Sequence, residues 1–395
     1  MKSKKLKGSF SIIPIIILIL IMLLYVSLSF YIGKENFITF SSLNPNINVT
    51  LYWILFWIVA FSYIIGLLLS TFFKGKISNV FLNIGFFWIG LFYYFLLVTF
   101  ILDIIKLFIF NFNLISKNSA FYNMINHYNS LISLIIVCFI IIYGAYVGTK
   151  RVVTTYKITI DKKTSELSNL NIAMVSDIHL GTGFGKRSLE KMVININLIK
   201  PDIIFICGDL IDENTPETLK KEISGVLKNL DSKYGTFAVL GNHEYGAGNV
   251  EDTIKNLSLG NVTLLKDEFL KIDNGFYLIG RDDFSSEKKS LEARNDISSI
   301  LNNCDTNLPI IVLDHQPVRI DDKEKEKIDL QLSGHTHHGQ FFPNNLITKI
   351  IFDNSYGYLR DKNYQLIVSS GYGTWGPLIR VATKCEIVNI KVNFN

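Results

Sequence analysis

The chain of 395 residues carries 39 lysines and arginines against 34 acids, a formal charge of only +5. It is 49% hydrophobic and 18% charged, with a mean hydropathy of +0.30. An excess of charge this small, much of it beside apolar runs, argues for membrane topology and anionic headgroups and against nucleic-acid binding.

Those averages join two unlike halves. Up to about Val147, Ile, Leu and Phe dominate and charge is scarce; from Lys150 onward the chain has the charge density of a soluble domain. The break predicts a membrane region over 1–150 and a second domain over 151–395. In the first half, four apolar runs approach the ~20 residues a helix needs to cross a bilayer: about 10–32, 51–73, 80–102 and 131–147. The first is too long for the core of a signal peptide and has no small-residue cleavage site after it. Lys2, Lys4, Lys5 and Lys7, then Lys74 and Lys76, then Lys150 and Arg151 flank alternate ends of the runs. The positive-inside bias then predicts a multi-pass cell-membrane protein with its carboxy-terminal domain in the cytoplasm. No ionisable residue is expected well inside a span, only Asp103 and Lys106 near one edge, which leaves a permeation path without support. Cys138, Cys207, Cys304 and Cys385 have no framework spacing and read as free thiols.

In the second half, five short apolar runs each end in a cluster of Asp, Asn and His. They are IAMVSDIH (172–179), IIFICGD (203–209), TFAVLGNHE (236–244), IIVLDH (310–315) and LQLSGHTH (330–337). Strand length and β-branched content predict buried strands, with helices around 187–199, 216–230 and 250–257. Strand–helix alternation implies an α/β domain with much parallel sheet, whose strand ends gather functional groups. Five of the seven histidines fall in these clusters and His338 directly follows the last; only His127 lies in the apolar half.

The side chains expected to converge are Asp177, His179, Asp209, Asn242, His243, His315, His335 and His337. Carboxylate, amide and imidazole donors together suit Mn, Fe or Zn better than soft metals. Eight groups exceed the needs of one ion, but would serve two divalent ions bridged by a carboxylate and a hydroxide. The i, i+2 pairs Asp177/His179 and His335/His337 would point the same way on extended backbone.

The order DxH, GD, GNHE, H, GHTH resembles that of the calcineurin-like metallophosphoesterase superfamily. GHTHHGQ followed by SSGYGTWGP resembles its bacterial membrane-associated branch, over about residues 170–390. The resemblance implies a four-layer α/β/β/α sandwich holding two metal ions, with Mn placed before Fe and Zn. It places Asp177, His179 and His337 on one ion, Asn242, His315 and His335 on the other, and Asp209 between them. His243 becomes a general acid or charge stabiliser at the leaving group, and Asp212 the residue that orients it. It implies hydrolysis of a phosphomonoester, phosphodiester or pyrophosphate, lipid-linked substrates included. A metal-binding sensor with little turnover is the alternative.

Two positions depart from the family pattern. His338 stands where GHTHGGQ has glycine, facing either solvent or substrate. Ser370 stands where many relatives carry arginine, so a phosphate contact is either missing or supplied by Arg281 or Arg380. Finally, the segment 341–360 concentrates Leu346, Ile347, Ile350, Ile351 and Phe352 directly after the histidines. It is either a strand or short helix packed on the sandwich, or an amphipathic lip on the headgroups.

Overall fold

The computed structural model of the chain describes residues 13–72, 76–115, 119–162, 167–181, 184–212, 215–246, 250–289 and 293–395. The chain divides into two compact units between Ile141 and Ile142, slightly before the boundary expected near 150.

The first unit is helical: α1 (Ile13–Leu43), α2 (Val49–Ala60), α3 (Ser62–Phe72), α4 (Lys76–Asn111) and the larger part of α5 (Ala120–Thr149). Three helices are long and apolar enough to cross a membrane, Ile13–Leu43, Ile77–Asn111 and Tyr128–Thr149. The expected second span is instead the pair α2 and α3, bent by 63° at Phe61. The Ser62 hydroxyl donates to the Val59 carbonyl at 2.6 Å, a local bond of the kind that competes with a regular helix. The helices also overrun their expected ends. α1, about 46 Å long at 1.5 Å per residue, exceeds the ~30 Å of a hydrocarbon core and takes Lys34 and Glu35 into the helix. Glu35 accepts a hydrogen bond from Ser130, and Asp103 accepts from Tyr31 and Asn129. Both Lys34 and Glu35 lie beyond the expected span 10–32, in the part of α1 that overruns it. Lys2, Lys4, Lys5, Lys7 and Lys74, on which the expected orientation rests, lie outside the described residues, as does the His127 side chain.

The second unit holds twelve strands among its described residues: β1 (Arg151–Ile160), β2 (Asn169–Val175), β3 (Ile203–Cys207), β4 (Thr236–Val239), β5 (Val262–Leu264), β6 (Glu268–Ile272), β7 (Phe276–Gly280), β8 (Ile310–Leu313), β9 (Leu330–Ser333), β10 (Gly357–Asp361), β11 (Tyr364–Val368) and β12 (Cys385–Phe394). Between them run α6 (Lys186–Ile199), α7 (Glu217–Leu227), α8 (Asn242–Gly246), α9 (Val250–Leu259), α10 (Ser285–Lys289), α11 (Ile297–Leu301), α12 (Asp322–Lys325) and α13 (Asn344–Ile351).

The strands form two six-stranded sheets, ordered β1-β12-β2-β3-β4-β5 and β10-β11-β9-β8-β7-β6. β2 to β5 run parallel, as do β7, β8, β9 and β11. Successive side chains point to opposite faces of a strand, and that alternation builds the layers. On β3, Ile203, Phe205 and Cys207 face the other sheet, where they meet Ile311, Leu313, Leu330 and Leu332. Ile204 and Ile206 face α6, α7 and α9, against Leu189, Met192, Ile196, Ile223 and Leu257. On the second sheet, Ile310 and Val312 face outward under Ile300 and Leu301 of α11. Three apolar seams thus separate helix, sheet, sheet and helix, the four-layer α/β/β/α sandwich. Strands bury residues on both faces, which explains why they read as continuous apolar runs.

Candidate metal centre

The parallel strands β2, β3, β4, β8 and β9 all end at one edge of the sandwich, and every residue of the expected constellation follows one of those ends. The strands stop earlier than expected because the chain turns sharply there. Asp177, His179, Asp209, His335 and His337 all take left-handed backbone, with φ between 48° and 71°. The i, i+2 pairs therefore do not lie on extended backbone, and the expected reason for their spacing is corrected. His335 and His337 in fact face different partners.

One group joins Asp177, His179 and His337. The two imidazole Nε2 atoms are 3.0 Å apart, and His337 Nε2 is 3.5 Å from Asp177 Oδ1. A second group joins Asp209, His315 and His335. His315 Nε2 lies 3.2 Å from Asp209 Oδ2, and Asn242 Oδ1 lies 3.2 Å from that nitrogen and 2.9 Å from His335 Nδ1. Asp209 stands between the groups, since its Oδ2 is also 3.8 Å from His179 Nε2. Two glycines permit this crowding. A Cβ at Gly241 would fall 2.2 Å from Asp209 Oδ1, and one at Gly334 would fall 2.3 Å from Asp177 Oδ2. That is the physical content of the glycine in GNHE and in GHTH.

Burial governs the electrostatics. It pushes the Asp177 carboxyl up to about 6 and pulls His179 and His335 down to about 4. His337 is held well below its ordinary value by burial, then by His179 and Arg380. Burial would also raise Asp209, but His315, followed by His179 and His243, outweighs it and holds that carboxyl well below the usual range. His315 is displaced upward, because Asp209 and then Asp177 overcome the burial that would lower it.

Divalent cations fit these residues. Neutral imidazole is the form that donates a lone pair to a metal, and three of the histidines are held neutral. The Nε2 atoms of His179 and His337 converge at 3.0 Å beside the Asp177 carboxylate, a donor set that one cation would bind. The ring of His315 is also set from behind, with Nδ1 2.8 Å from the Cys207 carbonyl and Nε2 turned inward, the outer hydrogen bond usual for a ligating histidine.

His243 follows Asn242 at the start of α8. Its backbone N–H donates to Asp209 Oδ1 at 2.9 Å, and its Nδ1 lies 2.9 Å from Asp212 Oδ1. The ring sits edge-on to His179, centroids 4.7 Å apart.

The alternatives left open for Arg380, Arg281, Ser370 and His338 resolve toward structural contacts. Arg380 is completely buried, its Nη2 3.2 Å from His337 Nδ1 and 2.6 Å from the Gly373 carbonyl it donates to. It secures a candidate ligand and does not reach substrate. Arg281 is tied to Asp267 at 2.9 Å. Ser370 is buried on Glu386. His338 stacks on Tyr356 at 4.3 Å, half-buried and away from the cavity lining. Among the described residues no Lys or Arg lines the cavity of about 500 Å³ over the site, whose walls include Gln340, Ile347, Thr348 and Trp375.

Four contributors escaped the sequence reading. Gln340 holds Trp375 over the cavity through both backbone atoms, Nε2 to its carbonyl at 2.8 Å and Oε1 from its N–H at 2.9 Å. In α5, Gly144 and Gly148 let the loop at 378–380 approach, since a Cβ at either would fall within 2.7 Å of Ile379 or Leu378. The spacing GAYVG was the available signal. Glu244, the last residue of GNHE, is buried and accepts four backbone N–H bonds, from Asp209, Leu210, Ile211 and Gly241. Burial and then Asp209 push its carboxyl up to about 7, against the pull of the N–H groups of Gly241 and Ile211. Four donors call for an acceptor-only carboxylate. Glu244→Gln turns an amide NH2 toward two of them, so stability should fall by about 2–6 kcal/mol at ~1–3 per unpaired donor. A melting temperature equal to wild type, with metal content unchanged, would show that Glu244 does not organise the loop.

The family model for calcineurin-like phosphoesterases matches residues 170–339. An uncharacterized metallophosphoesterase of Campylobacter jejuni is 36% identical over 280 residues, 70% of this chain and 72% of that protein. One from Aquifex aeolicus is 32% identical over 261 residues, 64% of this chain and 97% of that protein. A Danio rerio transmembrane protein with metallophosphoesterase domain is 29% identical over 272 residues, 66% of this chain and 62% of that protein. With the sandwich, the candidate metal-binding groups and these relatives in agreement, the chain belongs to the calcineurin-like metallophosphoesterase family.

Proposed function

We propose that the chain is a membrane-tethered phosphoesterase whose centre takes two divalent ions. Asp177, His179 and His337 hold one, Asn242, His315 and His335 hold the other, and Asp209 is shared. The observation that carries the reading is Asp209 itself, a buried carboxylate within 3.8 Å of imidazole nitrogens from both groups. When bound, such ions supply Lewis acidity toward a phosphoryl oxygen and a nucleophilic hydroxide near neutral pH.

The chain's own residues do the rest. Glu244 and the two glycines fix the loops that present the ligands. His243, steadied at Nδ1 by Asp212, offers its other nitrogen to the cavity, where a proton can pass to the departing oxygen. Trp375 and Ile347 form apolar walls. Because Arg380 and Arg281 are engaged elsewhere, phosphate charge must be met by the ions and His243, which suits monoesters, diesters and pyrophosphates alike.

The test uses full-length protein in detergent, stripped with a chelator and reloaded with Mn. Hydrolysis of bis-p-nitrophenyl phosphate should vanish on stripping and return as two ions bind per chain. Fully loaded protein that cleaves no monoester, diester or pyrophosphate in a panel would overturn the enzyme reading.

A further inference from the structure

α13 is the segment for which sequence allowed either a packed element or a lip. None of its residues is buried. Leu346, Ile347, Ile350 and Ile351 share one face by their i, i+4 spacing, and Ile350 is 85% exposed. Asn345, Thr348 and Lys349 take the other face. Ile347 belongs to both the exposed ridge and the cavity wall, so the ridge runs without a break into the candidate centre. Phe342, just before α13 in the chain, and Trp375, on the cavity wall with Ile347, are exposed as well.

What covers this ridge is indicated by where it is rooted. The Phe342 N–H donates to the Val381 carbonyl and the Val381 N–H donates to the Gln340 carbonyl. One residue earlier, the Arg380 N–H donates to the Gly144 carbonyl of α5 at 2.9 Å. The lip thus springs from the loop that grips the last turns of an apolar helix long enough to span a bilayer. On those turns Tyr143 and Tyr146 are exposed, with Lys150 beside Tyr146. Tyrosine and lysine where an apolar helix ends mark the level of a membrane–water interface. Aliphatic side chains and Lys349 held near that level match acyl chains and anionic headgroups.

We propose that α13 lies in the bilayer surface and that the centre draws an amphiphilic phosphoester from that surface, past Ile347 and Trp375. The choice of substrate rests on the phosphoesterase reading; the seat of α13 in the bilayer does not.

Two measurements separate these parts. Full-length protein with Cys138→Ser and Ile350→Cys, labelled with bimane, is reconstituted in phosphatidylcholine–phosphatidylglycerol vesicles. Lipids brominated on the acyl chain should quench the label and aqueous iodide should not; the opposite pattern removes the lip even if the enzyme is active. Separately, Ile350→Ser with Ile351→Ser should leave hydrolysis of soluble bis-p-nitrophenyl phosphate within about twofold of wild type. The same variant should slow p-nitrophenyl hexadecyl phosphate in those vesicles about tenfold or more, given two lost apolar side chains. Equal loss on both substrates with a lowered melting temperature, or no loss on either, overturns the proposal. Quenching by lipid in a protein that cleaves neither substrate would sink the phosphoesterase reading and leave the lip standing.

Discussion

Asp209→Asn should empty the centre of at least one ion and abolish nearly all hydrolysis. The carboxylate is the one group common to both proposed ligand sets, and its Oδ2 faces His315 and His179 together. An amide can offer one oxygen but no negative charge, and its nitrogen would face an imidazole or a cation. Removing metal-ion assistance is worth several kcal/mol of transition-state stabilisation, hence about 10³-fold or more at 1.4 kcal/mol per decade. The fold should survive, because the backbone N–H of Asp209 still bonds to Glu244. Metal analysis and turnover decide the matter together. A variant that keeps two ions and loses less than about tenfold in rate would remove Asp209 from the bridging position.

His243→Ala is expected to leave two ions in place while turnover falls by roughly 10²–10⁴-fold, the usual worth of acid–base assistance. The geometry makes this a sharp test, because His243 also lies close enough to His179 and Asp209 to serve as a ligand. The contact of Nδ1 with Asp212 fixes the orientation of the ring and suits a ligand and a proton donor alike, so metal content decides between them. Asp212→Asn should then cost about tenfold in rate with metal content unchanged. A substrate with a highly acidic leaving group should be less affected by either change. Loss of metal from His243→Ala would make it a ligand and require the proton to come from elsewhere.

Much of the second unit was legible because its signals are local. Runs such as IIFIC and IIVL are strands buried on both faces, and their terminal GD, DH and GHTH follow from strand ends meeting at one edge. β1 and β12 were harder to foresee, since Arg151–Ile160 pairs with Cys385–Phe394 across more than 200 residues and no local pattern announces the partner. The role of Glu244 was equally hidden. It acts on backbone N–H groups, and those leave no mark on residue identity. The pairing of His335 with Asn242 and not with His337 depends on left-handed turns that spacing alone does not reveal. In the helical half, hydropathy located the apolar segments but could not show the bend at Phe61, which involves one serine hydroxyl and one carbonyl.

The left-handed backbone at the ligand positions bears on how such a site is kept or lost over generations. Asp177, His179, Asp209, His335 and His337 occupy a conformation that costs a residue with a Cβ about 1–2 kcal/mol and glycine almost nothing. Mutation to glycine at any of the five would relieve that strain and delete a donor in one step. At Asp209 and Asp177 that gain is offset, because their carboxylates also take the His243 and His335 N–H groups and an unpaired buried donor costs about 1–3 kcal/mol. In a lineage released from selection for chemistry, glycine is therefore the expected trace first at the three histidines.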